Sequence, residues 1–262
     1  MAVSKYILLT IDLEEFDLPH EYGNYYPFWK QMSFTNQGLE RANTLLDKYD
    51  IRSTFFITTE YAMANPFAVK QIGTKHEIAS HACHHSIFDI RDPLKSKQIL
   101  ERISQQNIYG FRMPRMMKTD LSELKRAGYI YDSSINPTYI PSRYNYFFKP
   151  RTLFKDRLTG LFVIPVSVSP IIRFPLFWLS FKNIPFEIYS YLCKYTLDTD
   201  NYLHLYFHSW EFADIKSLKI PGYIKRIDGV TLIAKLEKLL IYLKMHAEYI
   251  TITEFLTIKK LI

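Results

Sequence analysis

Two histidines separated by four positions, in His81-Ala-Cys-His-His85, are the first residues in the chain whose spacing suggests chemistry. Imidazoles at this spacing can face one side of a helical turn, within reach of a single cation. A carboxylate from a neighbouring strand would complete a set of two histidines and one acid, which leaves a position open for water as in hydrolytic zinc sites. The same set also suits non-haem iron oxygenases, and Cys83 is an alternative ligand.

Other ionisable residues follow apolar runs elsewhere in the chain. Asp12 and Glu14 come at the end of the first run, and the later runs end in Arg112, Asp132 and His208. In a parallel α/β barrel the C-terminal ends of the strands meet at one mouth, where catalytic groups from several strands come together. The sequence therefore predicts that these side chains share one site.

The elements expected to carry these residues alternate between strand and helix. Predicted strands cover residues 6–11, 52–58, 77–80, 109–112, 129–132, 162–166, 202–208 and 249–252. Predicted helices cover residues 37–49, 66–72, 93–106 (with Asp92 as N-cap), 119–127, 186–197 and 232–245. Such alternation predicts a parallel sheet with crossover helices, which argues against the β scaffold of an oxygenase. Because the series is unbroken, we expect one catalytic domain over residues 1–262.

The opening segment Thr10-Ile-Asp-Leu-Glu-Glu15 resembles the first motif of the polysaccharide deacetylases of the NodB-homology type, carbohydrate esterase family 4. In that family a strand ends in two acids, a catalytic base and then a metal ligand. Here Asp12 matches the base, but Leu13 stands at the ligand position, as in a branch where the acid two places on binds the metal. Side chains alternate between the faces of a strand, so Asp12 and Glu14 share one side. Glu15 is the rival ligand.

Further motifs extend the resemblance over about residues 5–140 and again around His208. The segment Ser80-His81-Ala-Cys-His-His85 is similar to the motif that supplies two histidine ligands. Arg112-Met-Pro114 is similar to the motif whose arginine holds the base in place, and Tyr131-Asp132-Ser-Ser134 to the one that lines the groove. The segment His204-Leu-Tyr-Phe-His208-Ser-Trp210 resembles the motif with the catalytic acid, which implies that role for His208 and a structural one for His204.

The resemblance implies a distorted (β/α) barrel of about seven parallel strands and a metal-dependent hydrolase. The reaction would remove an N-acetyl group from an amino sugar or polysaccharide precursor, with Asp12 as base and Zn²⁺ as the expected metal. Asp132, Trp210 and Pro114 are the candidates for substrate contact, although Asp132 could instead cap a turn with its neighbouring serines. Two alternatives stay open: a hydrolase of a small cyclic amide or ureide, and a catalytically inactive glycan-binding barrel.

Composition narrows the partners of this chain. The formal net charge of +7 favours an anionic partner, but no basic run of the kind found in nucleic-acid-binding arms is present. Residues 170–193 are aromatic and broken by prolines, which suits a membrane interface or a pocket for a lipid-linked substrate, with a buried loop and helix as the alternative. The N-terminal apolar run is too short for a secretory signal, so we expect a cytoplasmic enzyme, with the inner membrane surface and oligomerisation left open.

Overall fold

The structure is a computed structural model that describes residues 4–141 and 143–262. Residues 1–3, which begin the segment interpreted above as too short for a secretory signal, lie outside the described residues. The strands are β1 (Tyr6–Leu13), β2 (Thr54–Ile57), β3 (Glu77–Ser80), β4 (Gly110–Phe111), β5 (Tyr131–Asp132), β6 (Tyr139–Ile140), β7 (Tyr144–Asn145), β8 (Phe154–Lys155), β9 (Phe162–Val163), β10 (Tyr202–His208) and β11 (Glu248–Tyr249).

Helices fill most of the connections between these strands. They are α1 (Phe28–Lys48), α2 (Thr59–Ala64), α3 (Pro66–Gly73), α4 (Asp92–Ser104), α5 (Leu121–Arg126), α6 (Trp178–Asn183), α7 (Phe186–Asp200), α8 (Gly229–Lys244) and α9 (Ile252–Ile258). Short 3-10 helices lie at Leu18–Tyr22, Pro114–Met116 and Ser209–Phe212. Among the described residues, no helix is both long and apolar enough to cross a bilayer.

The main sheet is mostly parallel and curled. Its strands follow the order β10, β1, β2, β3, β4, β5, β9, with β8 antiparallel at the β9 edge and β11 beside β1. Beyond β9 the chain returns to β10, where the amide of Ser167 donates to the carbonyl of His204 (2.9 Å) and the amide of His204 donates to the Ser167 hydroxyl (2.8 Å). This contact turns the sheet into an incomplete barrel, and the predicted distorted barrel is confirmed.

Strand β1 is buried on both faces, and the alternation of its side chains separates two layers. Ile7, Leu9 and Ile11 pack with the helix leucines outside the sheet, whereas Leu8 packs inside with residues of β2, β3 and β5. Asp12 has the parity of Leu8. The strand therefore directs its catalytic candidate into the barrel interior.

Most predicted elements are present, but several boundaries differ. The strands predicted at 77–80 and 202–208 match β3 and β10. Helix α1 begins nine positions earlier than predicted, because its added buried positions include the polar Gln31 and Thr35, which hide the apolar period. The predicted strand at 249–252 ends at Tyr249, since Thr251 and Glu254 form a capping box that starts α9. Asp92 is the first residue of α4 rather than its N-cap.

Helix α1 packs tightly against the 3-10 helix Ser209–Phe212, which follows His208. A Cβ atom placed on Gly38 would lie 1.8 Å from the backbone oxygen of Ser209. Nearby, Arg41 donates to the carbonyl of Phe212 (2.8 Å), and the amide of Asp214 donates to the side chain of Gln37 (2.9 Å). Gly38 thus allows the close approach that holds the segment after β10.

We expect Gly38→Ala to lower the free energy of unfolding by about 1–3 kcal/mol, because the added methyl group overpacks the contact with Ser209. In an open helix the same change would stabilise by about 0.5–1 kcal/mol. Urea unfolding measures the difference. Gly222→Ala is the control, because no atom lies within 4 Å of its added Cβ. A Gly38→Ala variant as stable as the unmodified chain would contradict the close packing described here.

Candidate active site

Glu14, His81 and His85 converge just beyond the ends of β1 and β3. The Oε2 atom of Glu14 lies 3.0 Å from Nε2 of His81 and 3.3 Å from Nε2 of His85. Ligand atoms of all three residues lie within 4.8 Å of one another, and all three are buried. Bonds of about 2.0–2.2 Å to a tetrahedral ion separate two ligand atoms by roughly 3.4 Å. The spacing therefore fits one cation.

The second ring nitrogen of each histidine is occupied by the protein. Nδ1 of His81 donates to the backbone carbonyl of Arg112 (2.8 Å), and Nδ1 of His85 lies 2.6 Å from a carboxylate oxygen of Asp17. These bonds turn both Nε2 atoms toward Glu14. Contacts of this kind fix the tautomer and orientation of histidine ligands. The arrangement matches what a metal site requires.

Charges in this cluster shift the ionisation of its members. Burial opposes ionisation of Glu14, but the charge of His85 and the hydrogen bond from His81 outweigh it and lower the pKa of Glu14. Burial also opposes protonation of His85, yet Glu14 and Asp17 raise the pKa of His85 to about 9. Glu14 is therefore anionic over the whole neutral range, as a carboxylate ligand of a cation must be.

Glu15, the rival third ligand, has other partners. One of its carboxylate oxygens accepts from the backbone amide of His85 (2.6 Å) and the other from the Thr58 hydroxyl (2.8 Å). As a candidate ligand it groups with the partly exposed Glu60 and His84 instead. The sulfur of Cys83 lies 4.0 Å from the carbonyl of Asp92, outside the cluster of Glu14. The geometry thus favours Glu14.

Asp12 lies beside the three candidate ligands, and Arg112 binds one of its two carboxylate oxygens. Nη1 of Arg112 donates to its Oδ1 at 2.6 Å. Its Oδ2 lies 3.9 Å from Nε2 of His81 and 3.8 Å from Nε2 of His208. One carboxylate oxygen therefore faces the space between the cation ligands and His208, where a base must act.

Arg112 is fully buried, and protein atoms hold its guanidinium group. Besides Asp12, it donates to the carbonyl and hydroxyl of Ser133 (3.2 and 3.0 Å) and to Nε2 of His204 (3.1 Å). Burial and the charge of Arg112 lower the pKa of His204 well below its usual value, so this imidazole is neutral and accepts. His204 is thus a structural partner of Arg112.

His208 is held by a carboxylate that the sequence analysis did not single out. Glu211, which is fully buried, accepts from the backbone amide (2.7 Å) and lies 3.0 Å from Nδ1 of His208. Its other oxygen lies 3.4 Å from the ammonium group of Lys182, also buried. Burial opposes protonation of His208, but Glu211 and the nearby acids outweigh it and raise the pKa of His208. The spacing of a capping box, His208 to Glu211, is the signal that could have revealed this contact.

A small cavity of about 50 Å³ lies between these groups. That volume is comparable to one or two water molecules in the liquid, at about 30 Å³ each. Besides the catalytic candidates, its walls include Trp178, Tyr206, Arg115, Arg143 and Glu21. A cavity this small has room for a group such as an acetyl, so the remainder of a sugar substrate would extend toward its mouth.

The residues predicted to contact substrate occupy three different positions. Trp210 lines the cavity, where its Nε1 donates to Oε1 of Glu14 at 3.1 Å. Asp132 is buried and accepts from the hydroxyl of Ser134 (2.5 Å), and burial raises its pKa to about 6. Pro114 is buried in the 3-10 helix after β4. The cavity walls do not include Asp132 or Pro114, and their substrate role stays a prediction.

Comparison with known proteins agrees with the fold and the motifs. Residues 5–131 match the family model described as polysaccharide deacetylase. None of the curated proteins compared with the chain matched it.

Solved structures with the same fold cover nearly all of this chain. A putative polysaccharide deacetylase from Mycobacterium smegmatis aligns with a TM-score of 0.66 at 16% identity, over 100% of this chain and 93% of that one. A probable polysaccharide deacetylase from Pseudomonas aeruginosa PAO1 aligns with a TM-score of 0.64 at 15% identity, over 95% and 88%. The allantoinase Puue aligns with a TM-score of 0.65 at 14% identity, also over 95% and 88%. At these identities the alignments show the fold.

We expect Glu14→Gln to weaken metal binding by more than about 100-fold, the upper end of the loss for a group that only holds a ligand. Glu15→Gln is the matched control, because its oxygens bond to His85 and Thr58, and it should retain the metal. Mass-spectrometric metal analysis after dialysis measures both variants. Stoichiometric metal in Glu14→Gln with loss in Glu15→Gln would reverse the assignment.

Proposed function

Since the match over residues 5–131 places the chain in the polysaccharide deacetylase family, we propose that it is a metal-dependent N-deacetylase of an amino sugar or polysaccharide precursor. The observation that carries this proposal is that Asp12, Glu14, His85 and His208 line one cavity, with His81 grouped beside Glu14 as the third candidate ligand. Hydrolysis of an amide needs a base for the water and an acid for the departing amine. Both groups are present.

Glu14, His81 and His85 would hold the divalent ion, with zinc the metal that this donor set suits best. When bound, such an ion polarises the acyl carbonyl and makes the attacking water easier to deprotonate. A hydrogen bond from Trp210 keeps the carboxylate of Glu14 in place, and a hydrogen bond to Asp17 keeps the imidazole of His85 in place. The protein therefore supplies a site organised before the substrate arrives.

Asp12 is the proposed general base. Arg112 occupies its Oδ1, so the proton of the attacking water can pass only to the free Oδ2, which faces the cavity. The salt bridge also fixes the carboxylate plane, since Arg112 is itself fixed by Ser133 and His204. Proton transfer by a positioned carboxylate contributes about 10²–10⁴ to the rate.

His208 is the proposed general acid. Its Nε2 lies 3.8 Å from Oδ2 of Asp12, on the cavity side, while Glu211 engages Nδ1. Glu211 favours the protonated ring, which then gives its proton to the amine nitrogen as the C–N bond breaks. Glu211 is thus a positioning residue, and Lys182 balances its buried charge.

Hydrolysis of a small cyclic amide or ureide is the second candidate function. The fold similarity to the allantoinase supports it through the scaffold alone, because one fold hosts many reactions. A catalytically inactive glycan-binding barrel does not account for the full set of base, ligands and acid.

Several expectations from the sequence stay predictions. They are zinc as the native metal, a single domain over residues 1–262, a cytoplasmic location, the inner membrane surface, membrane contact through residues 170–193, and oligomerisation.

We expect the protein to release acetate from N-acetylhexosamine oligomers or nucleotide-linked N-acetyl sugars only with metal bound, and to leave allantoin unchanged. Asp12→Asn should lower kcat about 10²–10⁴-fold with metal content retained, because Asp12 is outside the ligand set. Acetate release and bound metal are measured together. Consumption of allantoin without acetate release from any sugar would favour the ureide reaction.

We expect Glu211→Gln to slow hydrolysis of the N-acetyl amide by about 10–100-fold while hydrolysis of 4-nitrophenyl acetate is unchanged. An amine must be protonated to depart, whereas nitrophenolate leaves without a proton, so only the amide depends on the acid. His208→Gln should show the same selectivity. The exposed Glu187→Gln is the control and should change neither rate. Equal loss on both substrates would mean that Glu211 only supports the fold.

A further inference from the structure

An apolar groove opens directly beside the catalytic cavity. Its volume is about 390 Å³, within the range of about 300–1,000 Å³ typical of small-molecule sites. Its apolar wall includes Ile140, Pro141, Phe177, Leu179 and Ile224. We call this space the side groove. An apolar channel of this size suits a hydrocarbon chain better than a hydrated sugar.

The side groove and the catalytic cavity share part of their walls. Leu18, Trp178 and Arg143 line both of them. Because the catalytic cavity is small, a sugar substrate whose acyl group enters it must extend beyond it. The side groove is the adjacent apolar space that such a substrate can reach.

Positive charge lies where the two spaces meet. Arg143 lies 3.0 Å from one oxygen of Glu21, and Arg115 contacts the other oxygen, so two guanidinium groups share one carboxylate. Asp17 lies 3.7 Å from Arg115 but is engaged by His85 at 2.6 Å. Both guanidinium groups line the catalytic cavity, Arg143 also lines the side groove, and the planar guanidinium group suits phosphate oxygens.

Exposed apolar side chains surround the loops next to the side groove. Thr138, adjacent to β6, donates to the carbonyl of Arg173 at 2.9 Å, and the Arg173 guanidinium lies 5.2 Å from the ring of Phe147. In these loops Phe148 is 94% exposed and Ile171 is 83% exposed. Large apolar side chains that remain exposed together indicate a lipid or protein contact. Their position beside an apolar groove favours lipid.

We propose that the substrate is an N-acylated amino sugar joined through a phosphate to a hydrocarbon chain. The acyl group enters the catalytic cavity, the phosphate binds at Arg115 and Arg143, and the first part of the chain lies in the side groove. This inference rests on the proposed deacetylase function and adds the class of molecule that carries the sugar.

Binding of decyl phosphate tests the groove independently of turnover. Measured calorimetrically below its micelle concentration, decyl phosphate should bind at least tenfold more tightly than inorganic phosphate and than decyl glucoside. Ile140→Glu should weaken its binding at least tenfold, because a carboxylate replaces an apolar wall, and Arg143→Gln should weaken it through the phosphate. The exposed Met245→Glu is the control and should bind as the unmodified protein does. Decyl phosphate that binds no better than inorganic phosphate, or equally well to Ile140→Glu, overturns the proposal.

Turnover separates this inference from the deacetylase assignment. Acetate release is compared for N-acetylglucosamine 1-phosphate and its decyl ester. We expect the decyl ester to have a kcat/KM at least tenfold higher. The Ile140→Glu variant should lose this difference. Equal kcat/KM for the two substrates overturns the lipid-linked substrate and leaves the deacetylase intact. If decyl phosphate binds tightly and Ile140→Glu weakens its binding, but no N-acetyl sugar releases acetate, the side groove is supported as a binding site and the proposed deacetylase function is contradicted. Circular dichroism confirms that Ile140→Glu, at a partly exposed hairpin position, remains folded.

Discussion

The fully buried guanidinium group of Arg112 is the constraint on which the rest of the site depends. A buried charge costs several kcal/mol unless it is paired and its remaining donors are satisfied. Here the partners come from the end of β1, the residue after β5 and the middle of β10, which are far apart in sequence. The barrel must therefore curl until side chains from these strands reach the guanidinium group of Arg112, which follows β4. Asp12 and His208 meet more simply, because they are register partners on the adjacent strands β1 and β10, with Oδ2 of Asp12 3.8 Å from Nε2 of His208.

Two carboxylate–imidazole pairs within one cavity suit different proposed roles because their surroundings differ. His85, bonded to Asp17 through Nδ1, turns Nε2 toward the anionic Glu14, an arrangement that suits a shared cation. His208, bonded to Glu211, turns its free nitrogen toward Asp12 and the cavity, which suits a proton donor. A carboxylate on one ring nitrogen does not by itself distinguish a metal-binding histidine from a proton-donating one. The group that faces the other ring nitrogen makes this distinction.

The position of the cavity explains how a narrow reaction centre can serve a large substrate. The space around Asp12 and His208 is small, and the charges of Asp12, Glu14 and Arg112 are buried, so they interact more strongly than they would in bulk water. Recognition of the remaining substrate then falls to the mouth. There Arg115, Arg143 and the side groove offer charge and apolar surface, as a polar head on a hydrocarbon chain requires.

The sequence by itself determined the main alternation of strands and helices, although not β6, β7, β8, α2, α6 or α9, and the parity that sends Asp12 inward; together with the family resemblance it also predicted the grouping of Asp12, Glu14, His81, His85, Arg112 and His208. These follow from backbone periodicity and from motifs whose spacing is local. Only the tertiary structure decided that Glu14 rather than Glu15 groups with His81 and His85, and that Lys182 reaches Glu211. The side groove likewise joins residues from four distant segments. Such contacts depend on which side chains become buried together, and burial is a property of the packed chain rather than of any local pattern.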